Sequence, residues 1–593
     1  MKNTFVRKFL LMIPTMTIVA PTLCTIASCH KESKNSVDEV IWGNVITLDK
    51  NNTLAEGVAI DNGRIVDVGS KSDISKYITK NTEILDYSDQ YIYPGFLDCH
   101  AHGDQMGLSL CCQAPLRNDM SYTEIIDTMD NWAQEHPTWN VLVGQGWQNQ
   151  GTEPTYHDLD ALSAKYPGKE IYLVSEDIHQ IWVNKTALEN KGITKEYASQ
   201  YSEAVIRKFA DGEPTGLLCD SEQIKLQSRI EYSPEQMQDS IKAWQHYAFS
   251  NGYTGVCEGA MSPQWADQYT ALDKKGELKI RSAAVMYLFE DFCETTEDLL
   301  NEADKLLKSK EYRNHNFVPI GLKIFIDGVV EAKTALLMEE SADIPGYYGL
   351  NRYEKFGTTR EAQIEAISKV VERANLNDFS VHFHAAGDGA VNMAANAIDR
   401  AQQRTKIDDK ANTILHCQLV DDQSFQLMKK NKICAGVAPL WCPVSQVYGP
   451  LEKEYIGKER QDKCYPMQKF IDNDITIGFH SDLPVTPFCH IPQSIFQACY
   501  RFNPTYDTVE ECYDSLRNEY GQDISRYEAL RAFTSGSAHI MRADDLAGSI
   551  EKGKLADFSI FNKNFLDCRL SELMNATVRA TIVNGEVVYK QIL

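Results

Sequence analysis

The chain has 593 residues, of which 43% are hydrophobic and 10% are aromatic. These values are typical of a globular protein with a large core, and the length exceeds one ordinary domain. The formal net charge of −24 at pH 7 argues against a surface that binds nucleic acid or anionic lipid. We therefore expect an acidic, solvated exterior and no nucleic-acid partner.

Residues 1–29 have the pattern of a bacterial lipoprotein signal peptide. Three basic residues lie among the first eight, and an apolar run follows over residues 9–26. The segment Ile26-Ala27-Ser28-Cys29 resembles a lipobox, which implies that Cys29 becomes the lipidated N-terminus. Ordinary secretion and an uncleaved anchor remain the alternatives.

The segment that follows, residues 30–37, is polar and is expected to be a tether. With the signal peptide, it predicts a protein anchored by lipid in the bacterial cell envelope, facing either the periplasm or the exterior. The membrane is expected to be a partner only through that lipid.

Both ends of the mature chain contain short strand patterns around an Asn-Gly pair. Asn62-Gly63 lies between two such runs near the N-terminal end, and Asn584-Gly585 does so near the C-terminus. Asn-Gly between two apolar runs is the strongest short-range signal of a β-hairpin. We therefore expect a hairpin at each end.

The stretch that carries the clearest chemistry is the apolar run 91–97 followed by His100 and His102. Side chains two residues apart on an extended chain point the same way. Two neutral imidazoles at a strand end form half of a divalent metal site, of which Zn²⁺ is the commonest occupant. Two unrelated surface histidines remain the alternative from this stretch alone.

Beyond His102, roughly 150 residues precede the next barrel element, which is too many for one connection between a strand and a helix. We expect loops that cover the barrel mouth in this insertion. A helix is predicted over residues 233–251. It is followed by a predicted strand at 255–258, which we expect to be the third strand of the barrel.

Four later runs are also apolar and also end on a side chain that can bind metal. This is how a parallel (β/α)8 barrel presents its active residues, at the carboxyl ends of different strands. The distance in sequence from His384 to His416 fits one strand-helix unit, and that from His416 to Asp482 fits two, with residues 432–439 as the skipped strand. The ligand types therefore fall on strands one, four, five, six and eight. The four runs are Gly321–Gly328, Val381–Asp388, Thr413–Gln418 and Ile475–Pro484.

These motifs resemble those of the amidohydrolase superfamily, within it the YtcJ-like branch of the amidohydrolase 3 family. The resemblance runs from about residue 38 to the C-terminus. The segments that carry it are Pro94–Asp98 before the histidine pair, Lys323 followed by Asp327-Gly328, His384–Asp388 and Ser481–Pro484.

The resemblance implies an α/β fold, a TIM-like barrel with a small β-sandwich built from both chain ends. Residues 38–93 and 548–593 would form the sandwich, and residues 94–547 the barrel with its insertions. The small domain is expected to be structural.

The resemblance also implies the metal site. His100, His102 and Asp482 would surround one metal and His384 and His416 a second, and Lys323, carboxylated by CO2, would bridge them. A carbamate needs a neutral amine, which burial of a lysine favours; an ion pair between Lys323 and Asp327 is the alternative. Whether there are one or two zinc ions stays open. His382 and His480 are two residues from the preferred ligands, and either can compete with them or support them.

The function implied is hydrolysis of C–N bonds in small amides, N-acyl or N-formyl amines, but not in peptide chains. Metal-bound hydroxide would attack the carbonyl, with Asp482 as general base and then general acid. One alternative is a mononuclear deaminase, although that would favour a His-x-x-Glu pattern where His384-Ala385-Ala386-Gly387 stands. Another is a lipoprotein that binds a ligand without turnover. A homodimer is left open.

Two segments of the insertion resemble substrate-contacting motifs of the family. One ends in Gly146-Trp147, and the other contains His179, Trp182 and Asn184. Trp147 and Trp182, with Trp441, are expected to line an aromatic pocket. His179 is expected to act catalytically by polarising the substrate carbonyl, with a core histidine as the alternative.

The 16 cysteines do not show a disulfide framework. Cys24 and Cys29 belong to the signal region, and the others are scattered in spacing. Several lie in apolar strand patterns, where a thiol behaves as a small hydrophobic side chain.

Overall fold

The structure is a computed structural model that describes residues 36–592, apart from 150, 177–179, 204, 228, 444–447, 487–488 and 502–522. The signal peptide with Cys29, nearly all of the tether, and His179 lie outside the described residues. Among the described helices, not one is long and apolar enough to cross a membrane.

The central element is a sheet of eight parallel strands, nearly closed into a barrel, which confirms the predicted (β/α)8 fold. The strands are buried on both faces, as parallel sheets covered by helices are. The strand at 253–261 pairs directly with the first, so the expectation that it is third is wrong. The insertion before it contributes no barrel strand among its described residues. In order, the eight strands are Phe96–Ala101, Tyr253–Met261, Arg281–Tyr287, Phe317–Phe325, Ser380–Ala385, Thr413–His416, Cys434–Val437 and Ile477–Phe479.

Helices follow the barrel strands, as the crossover of a parallel sheet requires. The predicted helix before the second strand is confirmed at Pro234–Ser250, where Ser233 caps its first turn with Gln236 and Pro234 occupies the first position. The barrel helices are Gly103–Cys111, Pro234–Ser250, Pro263–Lys274, Thr296–Leu306, Arg360–Leu376, Asp388–Thr405, Asp422–Lys430, Gly449–Asp462, Met467–Asp472, Ile491–Tyr500, Arg526–Arg531 and Ser537–Ile540, with a π-helical turn at Ala532–Gly536.

The barrel closes where its first and eighth strands meet. The backbone N–H of Asp482 donates to the carbonyl of His100 at 3.0 Å, and that of His102 donates to the carbonyl of Leu483 at 2.8 Å. The buried carboxylate of Asp98 accepts from the N–H of Ser481 at 3.1 Å. The seam of the barrel therefore lies at the histidine pair.

The insertion after His102 has a sheet of its own, where loops were expected. Its six strands pack hydrophobic residues on both faces, in two separate clusters. The strands are Gln113–Pro115, Val141–Trp147, Glu170–Ser175, Gln180–Val183, Ile206–Lys208 and Pro214–Cys219; the helices are Tyr122–Glu135, Asp160–Lys165, Lys185–Asn190, Lys195–Ala198 and Asp220–Gln227.

Strands from both chain ends lie in one hydrogen-bonded sheet of seven strands. The two predicted Asn-Gly hairpins are present, with positive φ at Asn62 and Gly63 and at Asn584 and Gly585, as a type I′ turn requires. In sheet order the strands are Glu586–Lys590, Val578–Val583, Phe558–Phe561, Glu83–Pro94, Glu39–Ile46, Leu54–Asp61 and Arg64–Gly69; two short helices, Lys71–Ser75 and Leu570–Met574, accompany them.

A single residue, Gly95, separates this sheet from the first barrel strand. Its N–H donates to the carbonyl of Asp557 at 2.9 Å, which connects the two chain ends. A Cβ at this position would lie 2.1 Å from Oγ1 of Thr254, so only glycine fits. The terminal sheet therefore fixes the start of the strand that carries His100.

Candidate metal centre

The predicted ligands all lie at the carboxyl end of the barrel, on the strands assigned to them. His100 is on the first strand and His102 follows it directly. Lys323 and His384 lie near the ends of the fourth and fifth strands, and His416 is the last residue of the sixth. Asp482 follows the eighth strand.

Asp482 lies at the middle of this group. Its Oδ1 is 3.1 Å from Nε2 of His100 and 3.3 Å from Nε2 of His102. The ligand atoms of His100, His416 and Asp482 all lie within 4.8 Å of one another, and the three side chains are buried. This spacing suits a single ion held by all three.

Lys323 is fully buried, with Nζ 3.3 Å from Nε2 of His100 and 4.8 Å from the centre of the Phe325 ring. Burial lowers its pKa to about 7, so much of the amine is neutral near neutral pH. The expected alternative partner, Asp327, is engaged elsewhere. Its oxygens accept from the backbone N–H groups of Leu336, Ala386 and Gly387 at 2.9 to 3.1 Å.

His384 and His416 lie side by side, with ring centres 4.4 Å apart. Nε2 of His384 lies 2.9 Å from the carbonyl of Gly328, which leaves Nδ1 for a ligand. A second bond of this kind is usual for a histidine that binds metal, because it fixes the orientation of the ring.

The backbone is unusual at two of the ligands. His416 and Asp482 have φ values of 74° and 54°, in the left-handed region that non-glycine residues seldom adopt. Such conformations cost free energy and cluster at functional sites. Here they turn each chain sharply at the end of its strand, where the side chain enters the site.

The charges suit metal binding at neutral pH. Burial lowers the pKa of His384 to about 4 and holds that of His416 well below its usual range. Burial opposes the charge of Asp482, but His100 and His102 hold its pKa well below the usual value. The imidazoles of His384 and His416 are therefore neutral and the carboxylate is ionised, which are the forms that bind a cation.

His480 also reaches the site. His382 lies two residues before His384 on the fifth strand, farther from the carboxyl end of the barrel. The ring of His480 is 5.4 Å from that of His100 and 5.1 Å from that of His416. His382 pairs in register with Lys323, and burial lowers its pKa to about 3. Both rings are buried, and their nitrogens have no hydrogen-bond partner among the described residues.

A buried acid that the sequence analysis did not select supports the histidine pair. Glu258 lies within a buried run on the second strand, and its Oε2 accepts from the N–H of Gly103 at 2.9 Å. Its Oε1 accepts from the indole of Trp244 and the hydroxyl of Tyr269. Because Gly103 follows His102 directly, Glu258 fixes the backbone at that ligand. An acid within an apolar strand is the signal that could have identified it.

Aromatic side chains line the approach to the cluster. Phe325 stacks on His384 with ring centres 4.8 Å apart, and Tyr287 lies 5.2 Å from Phe325. On the opposite side, Trp441 stacks on His416 at 5.5 Å. Phe289 is 3.9 Å from Tyr287 and is 39% exposed, so this aromatic run extends from the ligands to solvent.

The structure does not bring Trp147 and Trp182 to the cluster. Both are fully buried in the core of the insertion sheet. Their indole N–H groups donate to the carbonyls of Leu173 and Thr155, at 2.7 and 2.8 Å. They are core residues because the insertion folds as a sheet that buries them, and they present no free surface to a substrate. Trp441 is the predicted tryptophan that reaches the site.

The donor set fits a divalent cation. Both ring nitrogens of His416 and Oδ1 of Asp482 are buried without a hydrogen-bond partner, although Oδ1 is close to Nε2 of His100 and of His102. Buried polar atoms are normally paired, so several unpaired ones that face each other indicate a ligand between them. Nitrogen and carboxylate donors are those that zinc accepts.

The Amidohydrolase family profile matches residues 83–589. The chain belongs to this family. As the sequence predicts, this amidohydrolase is therefore a hydrolase of carbon–nitrogen bonds, and its match includes both the barrel and most of the terminal sheet.

The amidohydrolase is similar over nearly its whole length to several curated proteins. It is 26% identical over 566 residues to the putative amidohydrolase YtcJ of Bacillus subtilis, covering 93% of this chain and 100% of the relative. It is 22% identical to the N-substituted formamide deformylase of Arthrobacter pascens, covering 93% and 98%. A solved structure of an uncharacterized metal-dependent hydrolase from Pyrococcus furiosus shares the fold, with a TM-score of 0.70, 22% identity, and coverage of 89% and 100%.

Proposed function

We propose that the protein is a zinc-dependent hydrolase of small amides, with N-acyl and N-formyl amines as the substrate class. The observation that carries the proposal is the buried cluster of His100, His416 and Asp482, whose ligand atoms lie within 4.8 Å at the active end of the barrel. The similarity to an N-substituted formamide deformylase supports formamides as the first compounds to test.

Asp482 moves the proton in this proposal. When bound, zinc supplies Lewis-acid polarisation of the substrate carbonyl and of water. Asp482 stays ionised at neutral pH and lies beside the imidazoles of His100 and His102. One of its oxygens faces the cluster, and the carboxylate accepts a proton from the attacking water and delivers it to the leaving nitrogen.

Lys323 is proposed to be carboxylated. Its amine is buried, has a lowered pKa, and contacts His100 instead of an acid. Addition of CO2 to the neutral amine, with release of one proton, gives a carbamate anion, whose two oxygens would add two donors among the imidazoles. His384, which lies beside His416 with ring centres 4.4 Å apart, would then complete a second metal position with the carbamate.

The aromatic run is proposed to hold the amine side of the substrate. Phe325, Tyr287 and Phe289 form a continuous wall from His384 to solvent, and Trp441 lies on the other side of the cluster. Aromatic rings favour offset or edge contacts with one another. N-benzyl amides are therefore expected to be better substrates than N-methyl amides.

The decisive experiment combines elemental analysis with intact mass on a soluble form that begins at residue 30. We expect zinc near two equivalents per chain, a mass increase of one CO2 that acid removes, and neither the increase nor the second zinc in Lys323→Ala. A screen of N-acyl amino acids and formamides should then yield an amine and an acid. A protein without bound metal and without turnover of any amide would refute the proposal.

The same screen distinguishes the two alternatives. A mononuclear deaminase would bind one equivalent of zinc and release ammonia from amino-substituted heterocycles. A binding protein would retain ligand affinity in Asp482→Asn while the parent shows no turnover.

The lipid anchor is proposed from the sequence alone. Wild type expressed with its signal peptide is expected in the membrane fraction, and Cys29→Ser is expected to lose the lipid and leave that fraction. An unchanged distribution would favour an uncleaved anchor over a lipidated cysteine.

A further inference from the structure

The helix Gly103–Cys111 connects the candidate metal centre to the insertion sheet. His102 occupies the position before its first turn without a side-chain capping bond, and Cys112 caps its last turn by donating its N–H to the carbonyl of Leu108 at 2.8 Å. The first strand of the insertion begins at Gln113. Two adjacent cysteines therefore lie where this helix ends and the insertion sheet starts.

The two thiols are in contact. Sγ of Cys111 lies 3.3 Å from Sγ of Cys112 and 3.3 Å from the carbonyl of Gly107. Cys111 is partly exposed, whereas Cys112 is buried and lies 3.4 Å from the carbonyl of Gln236. One thiol of the pair is thus accessible to a reagent, and the other is held beside it.

We propose that Cys111 and Cys112 form a redox pair that closes to a disulfide between adjacent residues. The sulfur atoms need to approach from 3.3 Å to about 2.05 Å, which requires side-chain rotation together with a change in the backbone between the two residues. Adjacent Cα atoms are about 3.8 Å apart, below the usual separation of about 4.4–6.8 Å across a disulfide. The bond is therefore strained, and a strained disulfide is easily reduced and acts as a switch.

The reaction needs a disulfide as oxidant, such as oxidised glutathione. The thiolate of Cys111 attacks one sulfur of the oxidant and forms a mixed disulfide, and one glutathione leaves and takes up a proton. Sγ of Cys112 then loses its proton and attacks Sγ of Cys111, and the second glutathione leaves as a thiol. The protein loses two hydrogen atoms, and the oxidant is reduced to two thiols.

Oxidation of the pair is expected to affect the metal centre, because the pair lies at the end of the helix that follows His102. Cys111 and Cys112 both bond to carbonyls of the last helical turn, and a ring closed there changes that turn. At the other end, the N–H of Gly103 is held by Glu258 beside His102. We expect a strained C-terminal turn to shift this short helix against Glu258, and thereby to weaken metal binding at His102. This second part rests on the proposed metal centre, while disulfide formation does not.

The test of the disulfide uses reduced wild type treated with oxidised glutathione, quenched in acid and alkylated in denaturant. Trypsin releases residues 81–117, which contain Cys99 as an internal control. We expect Cys99 to be alkylated, Cys111 and Cys112 to be protected with a loss of two hydrogens, and dithiothreitol to restore both. Full alkylation of both residues, or glutathione retained on Cys111, would overturn the proposal.

Variants separate the two steps. Cys112→Ser should retain glutathione on Cys111, because the second thiol is missing, and Cys111→Ser should leave Cys112 reduced. Cys568→Ser is the matched control, because Cys568 is also partly buried but lies beside Arg526. It should oxidise like wild type at the pair. Equal oxidation in Cys111→Ser and wild type would contradict the assignment of Cys111 as the attacking thiol.

Loss of zinc to a chelator tests the link to the metal centre. We expect the oxidised wild type to release zinc faster than the reduced form, on the order of tenfold. This is the size of effect seen when a residue that orients a metal ligand is changed. Cys111→Ser should release it at one rate under both conditions. Equal rates in oxidised and reduced wild type would refute the link, and a protein that never binds zinc would refute the proposed function instead.

Discussion

The carboxyl end of the barrel and the core of the insertion sheet both bury aromatic rings that carry nitrogen atoms. The two regions differ in whether those nitrogens have hydrogen-bond partners. In the insertion, Trp147 and Trp182 each donate to a backbone carbonyl. In the barrel, His416 and His480 are equally buried, yet their nitrogens have no partner among the described residues.

This difference distinguishes residues of a binding site from residues of the hydrophobic core in this chain. A buried polar atom without a partner costs about 1–3 kcal/mol, so several such atoms around one point favour a ligand bound there. The paired indoles need no ligand. Burial and aromatic character alone do not identify a binding residue.

The largest effect is expected for Asp482→Asn. Asparagine keeps an oxygen for the metal but cannot accept the proton, so kcat should fall about 10²–10⁴-fold while zinc content and thermal unfolding stay near wild type. Steady-state kinetics on the best amide from the screen measure this. Turnover close to wild type would remove Asp482 from proton transfer.

Next in size is the loss of metal affinity in His100→Ala. Removing one ligand of the close cluster should weaken zinc binding at least about 100-fold, as measured by competition with a chelator. His157→Ala is the control, because His157 is an exposed histidine paired with Asp160 on the surface. Equal zinc affinity in both variants would mean that the unpaired nitrogens of the barrel do not mark a metal site.

A smaller effect is expected for Glu258→Gln. The amide oxygen can replace Oε1 toward Trp244 and Tyr269, but the amide nitrogen cannot accept from Gly103. Zinc affinity should therefore fall about tenfold with little change in fold.

The matched control for this change is Glu222→Gln. Glu222 is a buried acid of the insertion that bonds to Tyr197 and Lys225, away from the barrel ligands. It should leave zinc affinity unchanged, so a similar fall in both variants would point to general destabilisation.

The smallest effect on the site is expected for Trp147→Phe. The variant loses a buried indole and its bond to Leu173, which should lower the free energy of unfolding by about 1–3 kcal/mol without changing KM. Trp441→Phe provides the contrast, since Trp441 stacks on His416 and should change KM. A change in KM for Trp147→Phe would contradict its placement in the core.

Much of the barrel could be predicted from its sequence because parallel strands buried on both faces leave a local signal. Each strand is a short apolar run. The residue at its carboxyl end reaches the site regardless of the length or sequence of the helices between the strands. This signal predicts the positions of His100, His384, His416 and Asp482 at the carboxyl end of the barrel, on the strands that the family resemblance also indicates.

The residues missed are those whose role depends on a distant partner. Glu258 acts through Gly103, which lies 155 positions earlier in the chain. The insertion strands are short and separated by long connections, so their number and pairing leave little periodicity in the sequence. Trp147 and Trp182 were expected at the substrate pocket for the same reason. The contacts that bury them form only when the insertion sheet folds.

The closing seam of the barrel has a thermodynamic consequence. The bonds that join the first and eighth strands involve His100, His102 and Asp482, which are also candidate ligands. A metal held by these residues would add its binding free energy to closure of the sheet, by an amount that grows with free metal concentration. Chelation should therefore accelerate hydrogen exchange at the amides of His102 and Asp482 before it affects the terminal sheet, so that this edge opens first when the protein loses its metal.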